Sequence, residues 1–178
     1  MRSAEAIAQR LRATIRDVPD FPQPGIIFKD ITPVLGDAAL FQDIVEHLAD
    51  RLSGESIDVV AGIESRGFIF GAPLALQLGA AFVPIRKPGK LPADTIRVDY
   101  DLEYGTDALE AHADAIAAGQ RVLIADDVLA TGGTAAAAAR LIRQLHGDVV
   151  GLCILVELGF LNGREKLKDM PLHTLLTY

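Results

Sequence analysis

The 178-residue chain has one cysteine, no tryptophan, four histidines and an aromatic share of only 6%. A lone cysteine excludes an intramolecular disulfide. Its position in the apolar run Val149 to Val156 marks Cys153 as a buried, inert thiol rather than a nucleophile. No His and Cys residues recur at metal-site spacing, so a soft-ligand metal centre is not expected. Positive charge is also short: 17 Lys and Arg stand against 24 Asp and Glu, a formal net charge of −7. That balance excludes a general affinity for nucleic acid or an anionic membrane. The N-terminal stretch carries Arg2, Glu5 and Arg10 where a signal peptide would have its apolar core, and no later run spans a bilayer without a charge or breaker. The expectation is a cytoplasmic protein.

Half of the residues are hydrophobic and 23% are charged, a composition that folds. The length fits a single domain over residues 1–178. Ser3 to Arg16 has Ile7, Leu11 and Ile15 at helical spacing, and Asp37 to Ser53 has Phe41, Ile44, Val45 and Leu48. Buried strands are expected at Ile57 to Ile63, Ala81 to Ile85, Val122 to Ala125 and Val149 to Glu157, with a short one at Thr174 to Thr177. Helices are expected between them at Ile69 to Leu78 and Ala135 to His146. The alternation predicts an α/β fold, a mainly parallel sheet with helices on both faces. Ala93 to Glu110 is polar, alternates at Ile96, Val98 and Tyr100, and reads as a small exposed hairpin rather than a core element. A polar hairpin between buried strands is a candidate lid.

Gln120 to Ala135 concentrates the chemistry. The strand Val122 to Ala125 is expected to stop at Asp126, and Ala130-Thr131-Gly132-Gly133-Thr134 follows. Small residues, two glycines free to take positive φ and two threonine hydroxyls before a helix allow several N–H groups to converge on an anion, and a phosphate is expected. Asp126 and Asp127 would repel that phosphate unless they have another task, and vicinal sugar hydroxyls offer one. A phosphorylated sugar satisfies both groups, beyond the carboxyl ends of the strands where open α/β sheets bind ligands. Arg86, Lys87 and Lys90 place three cations at the end of another strand in an acidic chain, and Arg66 follows a third; both suit anion binding. A salt bridge from Arg66 to Glu64 is the bland reading of that turn.

Val122-Leu-Ile-Ala-Asp-Asp-Val-Leu-Ala-Thr-Gly-Gly-Thr134 resembles the phosphoribosyl-pyrophosphate motif of the type I phosphoribosyltransferases. Other segments are similar to the adenine phosphoribosyltransferase family along nearly the whole chain. Asp20-Phe-Pro-Gln-Pro-Gly-Ile-Ile-Phe-Lys-Asp30 resembles the family's hood over the base, at about residues 18–35. The resemblance implies that Ile27, Phe28, Lys29, Leu129 and Leu158 lie at adenine, with Glu157 near it. Many family members have arginine where this chain has Lys29, so a contact that needs a planar guanidinium is not expected there. Glu64, Ser65, Arg66, Lys87 and Lys90 are implied at pyrophosphate. Asp126, Asp127 and Ala130 to Thr134, comprising Ala130, Thr131, Gly132, Gly133 and Thr134, are implied at the ribose and 5′-phosphate.

Leu102-Glu103-Tyr104-Gly105 is similar to an element of the family's lid, here about residues 93–110. By resemblance, Glu103 is the acid or base beside the adenine imidazole nitrogens, Tyr104 closes over the reaction centre, and Arg66 joins them as a catalytic residue. The implied reaction is adenine plus phosphoribosyl pyrophosphate giving AMP and pyrophosphate. Mg²⁺ would be bound with the diphosphate, and no direct metal ligand from the protein is expected. The resemblance also implies a homodimer with Arg86 and Lys87 near the subunit contact. Two alternatives share the phosphate loop: a xanthine or 6-oxopurine phosphoribosyltransferase, and a non-catalytic ligand-sensing regulator. Ile27, Phe28 and the Leu-Glu-Tyr-Gly element favour adenine over the first, and the retained lid without an added DNA-binding domain argues against the second.

Overall fold

The computed structural model describes residues 3–101 and 105–178. Five strands form one wholly parallel sheet in the order β4-β3-β7-β8-β9: β3 (Val59–Ile63), β4 (Ala81–Ile85), β7 (Arg121–Leu129), β8 (Asp148–Glu157) and β9 (Leu172–Thr177). β3 is buried along its whole length, as its unbroken apolar run requires in a sheet covered on both faces. On one face lie α1 (Ala4–Thr14), α3 (Ala38–Leu52) and α4 (Gly67–Leu78), whose Leu11, Ile44, Leu48, Phe70 and Leu74 pack on Val60 and Leu123. On the other lies α5 (Gly133–Gln144), with Ala138, Leu141 and Ile142 against Val122, Ile124 and Ile154. Caps match the chemistry at the helix starts: Ser3 accepts from Ala6 N at 3.3 Å and Asp37 from Leu40 N at 3.0 Å.

The chain runs from β3 through α4 outward to β4, and from β7 through α5 outward to β8. The direction of winding therefore reverses between β3 and β7. At such a switch point the loops leaving the two strands diverge and leave a crevice at their carboxyl ends.

Three features differ from the sequence expectation. β7 does not stop at Asp126 but continues to Leu129, because its ladder with β8 runs on through Asp126 to Ile154, Val128 to Val156 and Leu129 to Glu157. Ladder pairing to a buried neighbour outweighs the low strand propensity of two aspartates. α5 starts at Gly133, two residues earlier than expected, so Gly133 and Thr134 are its first turn. The hairpin β5 (Thr95–Asp101) and β6 (Thr106–His112) forms as expected but is not an exposed flap. Val98, Tyr100, Leu109 and Ala111 turn one face into the core with α5, the usual partition of an antiparallel pair with one face buried.

A second antiparallel pair, β1 (Arg16–Pro19) with β2 (Ile27–Asp30), forms the N-terminal arm. The first helix ends at Thr14, so Arg16 belongs to this strand pair, where it reaches Asp30 at 2.7 Å. A short helix α2 (Thr32–Leu35) follows the arm, and two 3-10 helices, Gly159–Leu161 and Gly163–Leu167, connect β8 to β9. No helix among the described residues is long and apolar enough to cross a membrane.

Candidate active site

The crevice between the ends of β3 and β7 is a cavity of about 230 Å³. Its floor and one side come from β7 and the loop after it: Asp126, Asp127, Leu129 and Ala130 to Thr134. Glu64, Ser65 and Arg66 line the side after β3, and Lys87 reaches in from the end of β4. Residues far apart in sequence therefore meet because three parallel strands end at one edge.

The loop ends at Gly132, which caps α5 with φ 78°. Only glycine adopts that conformation without strain. Gly133, expected to share this freedom, has entered the helix. The first-turn N–H groups of α5 have no intrahelical acceptor and face the cavity with the positive end of the helix dipole. Thr131 and Thr134 stand beside them, and Thr134 Oγ1 bonds Tyr100 Oη at 3.3 Å. The loop is clamped from behind by the 3-10 helix starting at Gly163. A Cβ on Gly163 would collide with the Ala130 carbonyl, and a Cβ on Gly132 would collide with the Gly163 carbonyl. Two backbones approach so closely that neither position admits a side chain.

Asp127 is 2% exposed, and Arg66 Nε lies 2.9 Å from its Oδ2. The pair is an ion pair without hydrogen-bond alignment: Oδ2 receives no well-directed donor. Burial raises the Asp127 carboxyl above its ordinary pKa, with the Arg66 charge opposing that rise. Asp126 is pushed well above the ordinary range by burial and then by the adjacent Asp127 charge. Asp126 Oδ1 takes the Asp127 N–H at 2.9 Å, whereas Asp127 Oδ2 is left without a donor and is free to accept one from a ligand hydroxyl.

The cations are held by carboxylates of the chain. Lys87 Nζ pairs closely with Asp107 and bonds Tyr100 Oη at 3.0 Å; burial disfavours its charge, yet Asp107 and Tyr100 raise its pKa. Lys90 does not line the cavity but pairs closely with Glu64, which also receives Lys87 N at 2.9 Å and Arg86 Nε at 3.3 Å. Burial works against ionisation of Glu64, but the Lys90 and Lys87 hydrogen bonds hold its pKa below the ordinary value. Arg66 therefore pairs with Asp127, not with Glu64.

The arm lies over this site through Phe28, whose ring centroid is 5.1 Å from the Arg66 guanidinium carbon. Phe28 also meets Phe21 edge to face at 5.2 Å, and Ile27 is 56% exposed. Lys29 turns away, to Asp17 at 2.7 Å and onto the Tyr178 ring at 4.1 Å. Leu158 is half-buried and packs on the core beneath the arm rather than lining the cavity. Glu157, buried at the end of β8, takes a bidentate pair from Arg164 at 2.5 and 2.7 Å. Glu103 and Tyr104 lie outside the described residues.

Sequence reasoning missed Tyr100, Asp107, Gly163 and Arg164. The first two lie in a segment whose alternation signalled only a hairpin. Gly163 carried no local signal, because its neighbour Ala130 is distant in sequence.

A parallel sheet with a switch-point crevice, a glycine-rich loop at a helix start and two carboxylates beside it defines an α/β protein with a ligand site at the carboxyl ends of its strands. A family model described as a phosphoribosyl transferase domain matches residues 35–174. The chain is 60% identical to the adenine phosphoribosyltransferase of Thermobifida fusca over 92% of this chain and 93% of that one. It is 58% identical to the enzyme of the same description from Geobacter metallireducens, over 94% and 98% of the two chains. The crystal structure of adenine phosphoribosyltransferase from Thermoanaerobacter pseudethanolicus superposes with a TM-score of 0.94 at 53% identity, covering 96% of this chain and 99% of that one. The Saccharomyces cerevisiae enzyme, complexed with adenine and an imino-altritol bisphosphate, gives 0.91 at 44% identity, covering 97% and 99%. The chain belongs to the adenine phosphoribosyltransferase family.

Proposed function

We propose that this cavity transfers the phosphoribosyl group of phosphoribosyl pyrophosphate to adenine, releasing AMP and pyrophosphate, a pentosyltransferase reaction of purine salvage. The observation that carries the reading is the buried Asp127 carboxylate, whose Oδ2 lacks a hydrogen-bond donor, set with Asp126 directly before the N–H-lined loop of residues 130–134. The loop receives the 5′-phosphate and the two aspartates the vicinal ribose hydroxyls. The yeast relative, complexed with both adenine and a sugar-like bisphosphate, supports a site that takes base and phosphosugar together.

The anomeric carbon passes through an oxocarbenium-like state as pyrophosphate leaves and adenine attacks. The chain's task is then positioning and charge compensation rather than covalent chemistry. Arg66, Ser65 and Lys87 border the side where the diphosphate would lie, and Glu64 orients the backbone after β4 and holds Lys90 nearby. Lys87 must exchange Asp107 for a diphosphate oxygen, a swap of one anion for another at little cost. Phe28 with Ile27 and Leu129 offers apolar surface to the flat base, while Lys29 ties β2 to β1 through Asp17. Glu103 serves the imidazole nitrogens of adenine as acid or base, and Tyr104 closes the site against water.

Asp126 and Asp127 supply hard oxygen donors suited to Mg²⁺, and the ion would enter with the diphosphate and be held largely by substrate and water. When bound it supplies neutralisation of diphosphate charge.

We further propose that two copies of the chain associate. Leu76, 83% exposed on α4, and Ile69 beside it on the same helix are apolar side chains that a second copy would cover. Sedimentation at the monomer mass would overturn this. The charged phosphosugar substrate and the lone buried thiol suit a cytoplasmic location, and recovery outside the cytoplasm on cell fractionation would contradict it.

The test of the reaction is incubation with phosphoribosyl pyrophosphate, Mg²⁺ and each of adenine, hypoxanthine, guanine and xanthine in turn. AMP from adenine alone is expected. Product from an oxopurine would keep the phosphate site and overturn the base assignment, and no product with any base would overturn the enzyme.

A further inference from the structure

A second cavity, of about 400 Å³, lies between β5, α5 and the 3-10 helix Gly163–Leu167. Arg140, Arg143 and Lys166 line it. Arg140 gives Nη2 to the Asp99 carbonyl at 3.0 Å, and none of the three forms an ion pair with a carboxylate among the described residues. That is unusual for this chain. With 24 acidic and 17 basic residues, most of its cations are matched: Arg10, Arg16, Lys29, Arg66, Arg86, Lys87, Lys90 and Arg164 all have carboxylate partners. Three cations with no carboxylate partner among the described residues, gathered at one concavity, attract an anion.

The rest of the lining selects the kind of anion. Ala136, Ala139 and Met170 provide an apolar floor beside the Tyr100 ring. Such a surface suits a flat ring attached to the anionic group. The volume lies in the range of small-molecule sites, and the overall charge of −7 disfavours a nucleic-acid polymer. Asp101 is the one carboxylate among the described lining residues and offers an acceptor to a ligand hydroxyl or amine.

We propose that this cavity binds a nucleoside oligophosphate, its phosphates on Arg140, Arg143 and Lys166 and its base on the Ala136, Ala139 and Met170 floor. The site is separate from the catalytic cavity but shares a wall with it. Gly133 lines both, and Tyr100, which lines the second, reaches Lys87 and Thr134 of the first through its hydroxyl. The proposal does not depend on which base the catalytic site accepts.

The test is equilibrium dialysis of labelled ATP against the full chain and against the double variant Arg143→Ala, Lys166→Ala. Both substituted side chains are exposed and outside the catalytic cavity. AMP formation and KM for phosphoribosyl pyrophosphate are therefore expected to stay unchanged, which also establishes that the variant is folded. Loss of two charge-assisted contacts is expected to weaken ATP binding by about tenfold or more. Equal ATP affinity in the two proteins would overturn the proposal by assigning the ligand to the catalytic cavity. An absence of ATP binding to the unaltered chain would overturn it as well.

Discussion

Arg66 and Asp127 join the turn after β3 to the end of β7 across the switch point of the sheet, Nε to Oδ2 at 2.9 Å. The carboxylate is buried and the guanidinium is 38% exposed, so the arginine can turn toward a ligand while the aspartate cannot follow it into solvent. Asp127→Asn is expected to raise KM for phosphoribosyl pyrophosphate by about tenfold or more, the scale of one charge-assisted hydrogen bond. KM for adenine should stay within about twofold by the same reasoning, since no base contact is removed. Steady-state kinetics with each substrate varied in turn decides it, and equal losses for both would remove the ribose assignment.

Asp126 is destabilising where it stands. Its pKa is raised in the folded chain by burial and by Asp127. The folded state therefore holds a proton that the unfolded state has lost, and stability falls as pH rises from the ordinary carboxylate value through the raised folded one. Asp126→Asn should raise Tm at pH 8 by about 2–4 °C, the shift made by 1 kcal/mol in a domain of this size. It should have little effect at a pH near the ordinary carboxylate value, where the carboxyl is protonated in the folded chain. Thermal melts at the two pH values measure this, and an equal shift at both would contradict the electrostatic cause. Turnover should fall in the same variant, because the amide withdraws a carboxylate oxygen from the ribose hydroxyls.

Gly163 holds the phosphate loop in place from outside the cavity. Gly163→Ala must move either the Ala130 carbonyl or the 3-10 helix. A cost of about 1–3 kcal/mol in stability is expected for such overpacking. KM for phosphoribosyl pyrophosphate should rise while adenine dissociation is preserved, and calorimetric titration with each ligand separates the two. An unchanged KM would mean the loop does not depend on this contact.

The Tyr100 hydroxyl is a hub for Lys87 at 3.0 Å, Asp107 at 3.2 Å and Thr134 at 3.3 Å. Tyr100→Phe keeps the buried ring and removes only those bonds. Stability should fall by about 1 kcal/mol, and KM for phosphoribosyl pyrophosphate should rise severalfold because Lys87 and Thr134 lose a common anchor. Full retention of both values would make the network incidental.

Glu103, assigned to the adenine nitrogens from its Leu-Glu-Tyr-Gly context, carries a separate expectation. Glu103→Ala should lower kcat by about a hundredfold, the lower end for a positioned acid or base, while substrate dissociation constants hold. Rapid-mixing single-turnover measurements read the chemical step directly. An unchanged rate would exclude Glu103 from that step.

The order of strands and helices was legible because each buried strand is a short run of β-branched and apolar residues, and each helix carries its apolar residues at helical spacing. The loop before α5 was legible for a similar reason: Thr131, Gly132, Gly133 and Thr134 are contiguous, and their turn chemistry is local. Less local matters were misread. The alternation at Ile96, Val98 and Tyr100 revealed a hairpin but could not show that α5 would bury one of its faces. The carboxylates at Asp126 and Asp127 looked like a strand end, yet the β8 ladder carries β7 past both.

By itself, then, the sequence determined the alternating α/β architecture, the glycine-rich loop before α5 and the residue types it carries, since these follow from nearest-neighbour chemistry and period. Tertiary structure alone decided the pairings. It set Arg66 on Asp127 rather than Glu64, gave Lys87 to Asp107 and Lys90 to Glu64, and pressed Gly163 against the phosphate loop. Such contacts depend on which strand ends are neighbours in the sheet, and strand order places side by side residues that the chain keeps far apart.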